Sequence, residues 1–144
     1  MGEKHLVDTS ILIPFYNRGF FEEKILEISG RGEVLFSAVS INEFVRGAHD
    51  RVSKRIVREF LDIASSGTVT PTAEQWIECG LLSEKILKGK RRSKEGVLLL
   101  QNDILIALGA RDADAVLVTA DVHDFSLIRE FMNVSIDFWR PHHS

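Results

Sequence analysis

The chain has 144 residues, 44% hydrophobic and 27% charged, with 18 basic and 21 acidic side chains and a formal net charge of −3. That length and composition fit one domain, residues 1–144, with its own apolar core, and the slight acidic excess argues against a protein that holds nucleic acid through a broad basic surface. No apolar run approaches the roughly 20 residues that span a bilayer and the first residues lack a secretory apolar stretch, so a cytoplasmic protein with no membrane partner is expected.

Taken in chain order, His5-Leu6-Val7 reads as a strand ending at Asp8, and Ile11 to Tyr16 as the start of a helix with Thr9 or Ser10 near its cap. Val34-Leu35-Phe36 is the second strand, after which Ser37 to Ser40 lead into a helix through about Ala48. Val52 to Ala64 forms another helix, with Val52, Ile56, Phe60 and Ile63 at helical spacing, and Gly67 closes that pair. A short Thr68-Val69-Thr70 strand precedes Pro71 and Thr72, which suit a helix start. The helix that follows carries Trp76, Cys79, Leu82 and Ile86, and the lone cysteine fits an inert core position.

Lys85, Lys88, Lys90, Arg91, Arg92 and Lys94 place six cations within ten residues, either a solvated helix end or a local phosphate-contacting patch. Gly89 and Gly96 bracket an expected exposed loop. Val97 to Ala110 is too long for a typical strand and rich in Leu and Ala, which predicts one buried helix. Ala115 to Thr119 is the clearest buried strand, followed by a helix near Phe125 to Phe131 and a last strand near Val134 to Phe138. Strands separated by helices need crossover connections, so the pattern predicts an α/β fold with a mainly parallel sheet and helices on both faces.

Ligands of open parallel sheets sit beyond the carboxyl ends of the strands, and Asp8 and Asp121 both stand where a strand has just ended. Each alone also suits a helix cap. Ser40-Ile41-Asn42-Glu43 matches the capping-box pattern, and Asp124 stands before an apolar helix as a cap would. Asp103 fits the structural account least well. Helical spacing puts it on one stripe with Leu99, Ile106, Ala107 and Ala110, and a buried carboxylate costs several kcal/mol unless paired, protonated or metal-bound. No Arg or Lys lies one turn away on that stripe; Arg46 is a distant candidate, while a hard divalent ion shared with Asp8 and Asp121 would compensate several acids together. Every candidate ligand offers oxygen, and His5, His49, His123, His142 and His143 show no zinc spacing, so Mg²⁺ or Mn²⁺ is the expected ion. His142-His143 reads as a terminal tail and His123 as an exposed loop residue.

With these residues in view the chain resembles the PIN domain family, and within it the VapC toxins of VapBC toxin–antitoxin pairs. The segments that carry the resemblance are Leu6-Val7-Asp8-Thr9-Ser10, Ser37 through Glu43, Asn102 through Ala107, and Val118-Thr119-Ala120-Asp121 with Asp124-Phe125. It spans nearly the whole chain. The resemblance implies a PIN-like three-layer sandwich, a central mainly parallel five-stranded sheet flanked by helices. It also implies an acidic quartet of Asp8, Glu43, Asp103 and Asp121, with Thr9, Thr119 and Asp124 in support. Such proteins cut RNA with Mg²⁺ or Mn²⁺, form homodimers and are silenced by a VapB-like antitoxin. In the expected mechanism Asp8, Asp103 and Asp121 hold metal while Glu43 positions a ligand or the attacking water.

Other classes fit less well. A haloacid-dehalogenase-like phosphatase would want an acid where Ser10 stands, a response-regulator receiver would want an acidic pair near the first strand and a Lys late in the sheet, and a phosphate-binding Gly-Lys-Ser/Thr loop is absent from the sequence. A PIN-like scaffold that binds RNA or protein without cutting is the non-enzyme alternative.

Overall fold

The computed structural model describes residues 2–48 and 54–140. Five parallel strands are arranged in the order β3-β2-β1-β4-β5: β1 (Glu3–Val7), β2 (Gly32–Ser37), β3 (Thr68–Val69), β4 (Val116–Thr119) and β5 (Ile136–Phe138). Between them run α1 (Thr9–Arg18), α2 (Glu22–Arg31), α3 (Ala38–Ala48), α4 (Lys54–Ala64), α5 (Ala73–Lys88), α6 (Lys94–Leu99), α7 (Gln101–Asp112) and α8 (Val122–Arg129). The mainly parallel sheet expected from the alternation is parallel at every pairing. No helix among the described residues is long and apolar enough to cross a membrane.

The pleat explains the three layers. Leu6 lies beside Leu35 and Leu117 in register, and all three enter one apolar cluster with residues of α5, α6, α7 and α8. Val7 and Val118, also paired in register, point the other way with Phe36 into a second cluster with residues of α1, α2, α3 and α4. Phe44, Phe60 and Phe125 are fully buried in these two layers. The chain moves outward from β1 through β2 to β3, then α5–α7 carry it back to β4 on the other side of β1. The order therefore reverses between β1 and β4, and the crevice that parallel sheets use for ligands opens beyond their carboxyl ends.

Several local expectations change. The residue preceding α1 is Asp8 rather than Thr9 or Ser10. Residues 97–110 form two helices instead of one, because the Leu100 amide bonds back to the Val97 carbonyl at 3.0 Å in a tighter turn. That break turns Leu100 fully inward and leaves Leu98 and Leu99 exposed, Leu99 by 81%, so the buried stripe expected through Leu99 stops short of it. The loop expected up to Gly96 is shorter: Ser93 accepts a hydrogen bond from the Gly96 amide and starts α6 at Lys94. Thr72 caps α5 in a reciprocal bond with Gln75, as the Pro71-Thr72 signal suggested. The start of the helix expected from Val52, with His49 and the His142-His143 pair, lies outside the described residues.

Candidate metal centre

Asp8 is the residue directly after β1, and its amide donates to the Val118 carbonyl of β4 at 2.9 Å, so the end of one strand is tied to its neighbour. Although it stands at the N-cap of α1, its side chain makes no capping hydrogen bond. Asp8 Oδ2 instead accepts from Ser10 Oγ at 2.8 Å and from Thr119 Oγ1 at 2.9 Å. Only 5% of the residue is exposed. Burial pushes its carboxyl up, and the two hydroxyls oppose that shift by stabilising the charged form.

Thr119 and Ser10 do more than hold Asp8. The Asp121 amide donates to Thr119 Oγ1 at 3.0 Å and the Ala120 amide donates to Ser10 Oγ at 3.0 Å, which fixes the turn leaving β4. Asp121 caps α8: its Oδ1 accepts from the Asp124 amide at 3.1 Å. Asp124 therefore lies inside the first turn, not at the cap position expected for it, and its carboxylate is free for other partners. The capping box expected at Ser40 and Glu43 also does not form. Helix α3 begins earlier, at Ala38, the Val39 amide donates to Ser37 Oγ at 3.1 Å, and Ser40 is already helical.

Glu43 consequently faces the site rather than its own helix end. Thr9 Oγ1 reaches Glu43 Oε1 at 3.3 Å and the Ser40 carbonyl at 3.2 Å, and Asn102 at the start of α7 bonds the same carboxylate. Burial, then repulsion from Asp8, raises Glu43; Asn102, Thr9 and the nearby charge of Arg46 act against this. The cation suggested for Asp103 thus acts on Glu43.

Asp103, in the first turn of α7, is partly buried where five carboxylates converge. Desolvation and repulsion from Asp8, Asp121, Asp124 and Glu43 push it up to about 8. Oxygens of Asp103, Asp121 and Asp124 all lie within 4.8 Å of one another. Burial also raises Asp121, with added repulsion from Asp124 and Asp8. Asp124 behaves differently: burial would raise it, but hydrogen bonds from Arg92 and His123 outweigh that and keep it low. Arg92 Nη2 donates to Asp124 Oδ1 at 2.9 Å.

The donor set fits a hard divalent cation, being all carboxylate, crowded and short of positive charge. Asp103 and Asp121, two of the three expected ligands, stand in the close trio. Asp124, expected only as an accessory acid, is its third member, while Asp8 lies deeper, held by its hydroxyl partners. Sequence reading missed three participants. Ser10 stands two residues after Asp8 and Asn102 beside Asp103, but neither position signals a bond to a carboxylate, and nothing in the spacing links Arg92 to Asp124 across 32 residues.

The fold and this acidic crevice define an α/β protein with a carboxylate centre at the sheet's switch point. The sequence pattern described as "PIN domain" matches residues 5–130, and the chain belongs to the PIN domain family. Its fold is similar to that of a chain in the VapBC2 complex from Rickettsia felis bound to a DNA fragment from their promoter. The TM-score is 0.71 at 20% identity, covering 95% of this chain and 99% of that one. DNA-bound VapBC from Salmonella typhimurium gives a TM-score of 0.71 at 16% identity over 96% and 99% of the two chains. VapBC-1 from nontypeable Haemophilus influenzae gives 0.67 at 18% identity over 94% and 98%. No curated protein matches the chain in sequence.

Proposed function

We propose that the chain is a Mg²⁺- or Mn²⁺-dependent endoribonuclease and the toxin of a toxin–antitoxin pair. The observation that carries this reading is the trio of Asp103, Asp121 and Asp124, with oxygens within 4.8 Å of one another beside the raised, partly buried Asp103. Acids crowded this closely can all be charged together only with a cation among them. Family membership and the fold shared with chains of VapBC complexes support the toxin assignment and a VapB-like antitoxin as its partner.

In this reading Asp103, Asp121 and Asp124 would hold the divalent ion, with Asp8 adding negative charge from its deeper position. A bound ion of this kind would lower the pKa of a water, polarise the phosphoryl oxygen and neutralise the leaving 3′-oxygen. The chain's own residues prepare that chemistry. Ser10 and Thr119 hold Asp8 in place and favour its charged form against the effect of burial, Thr9 and Asn102 orient Glu43, and Glu43 would position a metal ligand or the attacking water. Asp121 fixes the start of α8 and so the position of Asp124.

Exposed Trp76, Ile77 and Leu81 on α5, with Leu98 and Leu99 on α6, supply the apolar surface that a homodimer would cover. Arg91, Arg92 and Lys88 are engaged with Glu130, Asp124 and Glu84, so the basic segment is partly neutralised within the chain. Lys85, Lys90 and Lys94 remain as candidates for contacting RNA backbone outside the crevice.

The test is incubation of the purified chain, freed of any antitoxin, with end-labelled structured RNAs in Mn²⁺, Mg²⁺ or chelator. Discrete cuts that require metal and disappear in Asp103→Asn establish the activity. Binding of RNA without cleavage in any metal would instead assign a non-cutting PIN scaffold.

A further inference from the structure

Among the cations of the basic segment, Arg92 alone reaches the acidic trio. Its Nη2 lies 2.9 Å from Asp124 Oδ1 and 2.9 Å from His123 Nδ1, and its side chain is 22% exposed. The turn that carries it is held on both sides. Arg91 pairs with Glu130 at the end of α8 at 2.6 Å, its amide bonds back to the Ile86 carbonyl, and Ser93 caps α6. Lys90 adopts a left-handed φ of 56° to make this turn, an uncommon conformation for a side chain of its size. Arg92 is thus delivered to Asp124 by a fixed piece of backbone rather than by a loose side chain.

We propose that Arg92 is a built-in counter-ion of the metal centre: it occupies the charge of Asp124 in the metal-free protein, sets how tightly a divalent cation is held, and is released toward the RNA phosphate once that cation takes over Asp124. The inference deepens the metal-dependent nuclease reading and rests on it. The charges require such a competition. Asp8, Glu43, Asp103, Asp121 and Asp124 converge, and Asp124 is the member of this group to which Arg92 donates, at 2.9 Å. A divalent ion shared by Asp103, Asp121 and Asp124 must therefore work against a guanidinium already bonded to one of its ligands. Guanidinium is also the group best shaped to take a phosphate with its remaining N–H donors. Arg92 acts on metal through Asp124, so it is a positioning residue in that role.

The experiment measures Mn²⁺ binding to the RNA-free chain by calorimetry for wild type, Arg92→Gln, Arg92→Lys and Arg91→Gln. Removing one positive charge within a few ångströms of a doubly charged ion should tighten Arg92→Gln binding roughly three- to tenfold. Arg92→Lys, which keeps the charge, and Arg91→Gln, which loses an equal charge at Glu130, should stay within about twofold of wild type. Unchanged or weaker binding in Arg92→Gln would overturn the proposal, as would equal tightening in Arg91→Gln. The wild-type protein supplies a check that no substitution can spoil: the Arg92 Nε–Hε resonance should move during Mg²⁺ titration and saturate together with metal binding. A resonance that stays fixed while metal binds overturns the proposal. Failure of wild type to bind Mn²⁺ at all, with Asp103→Asn indistinguishable from it, would remove the nuclease reading itself. Normal wild-type binding with no effect of Arg92 removes only this inference.

Discussion

Thr119 Oγ1 donates to Asp8 Oδ2 at 2.9 Å across 111 residues of chain, joining the last residue of β4 to the first residue beyond β1. The bond makes the parallel pairing of these two strands part of the site. Strand register and acid placement cannot change independently, because a slip of β4 would separate the hydroxyl from the carboxylate.

Thr119→Val keeps the shape and removes the donor. It should lower unfolding free energy by about 1–3 kcal/mol, the penalty for under-satisfying a buried polar group. Urea denaturation should show a smaller loss when the same change is made in an Asp8→Asn background, since the two side chains interact directly. Equal losses in both backgrounds would mean that Thr119 acts through the Asp121 turn instead.

Asp103→Asn should abolish metal-dependent cleavage while raising the melting temperature of the metal-free protein. The substitution removes a carboxylate that four other acids and burial all disfavour in its charged form. Differential scanning calorimetry in chelator at pH 8 checks the stability arm, and a lower melting temperature there would contradict the repulsion argument.

The pH dependence follows from the same group. Its carboxyl lies at about 8 in the folded chain against 3.8 in the unfolded chain, so between those values the folded state binds more protons. Stability of the metal-free protein should therefore fall as pH rises through this window, and Asp103→Asn should flatten that fall. Mn²⁺ binding must displace the proton, so affinity should increase with pH up to about 8. Calorimetric titrations in buffers of different ionisation enthalpy would reveal the released proton.

Phe44, the neighbour of Glu43, is fully buried and packs its ring 4.6 Å from that of Phe60 and 5.6 Å from that of Tyr16. Phe44→Ala should cost about 3–5 kcal/mol in unfolding free energy. Phe44→Leu should cost less and retain cleavage, showing that the ring seats α3 rather than touching substrate; a stable Phe44→Leu protein without activity would point to a direct role.

The sequence alone determined the alternation of strands and helices, because period-two and helical apolar patterns survive without knowledge of their partners. Its residues also singled out Asp8, Asp121 and Asp103, since two acids followed strands and one carboxylate stood in an apolar helix with no local cation, while Glu43 entered only through the family resemblance. Caps were harder to assign. Glu43 matched a capping box and Asp124 a cap, yet one helix starts earlier, at Ala38, and another is capped by Asp121, freeing both carboxylates for the crevice. Only the tertiary structure decided which acids stand close together, because that depends on how α7 and α8 settle over the switch between β1 and β4. The same packing brought Arg92 to Asp124. A charge pair separated by 32 residues leaves no periodic trace in the sequence, since it is set by the geometry of a turn and not by the spacing of its side chains.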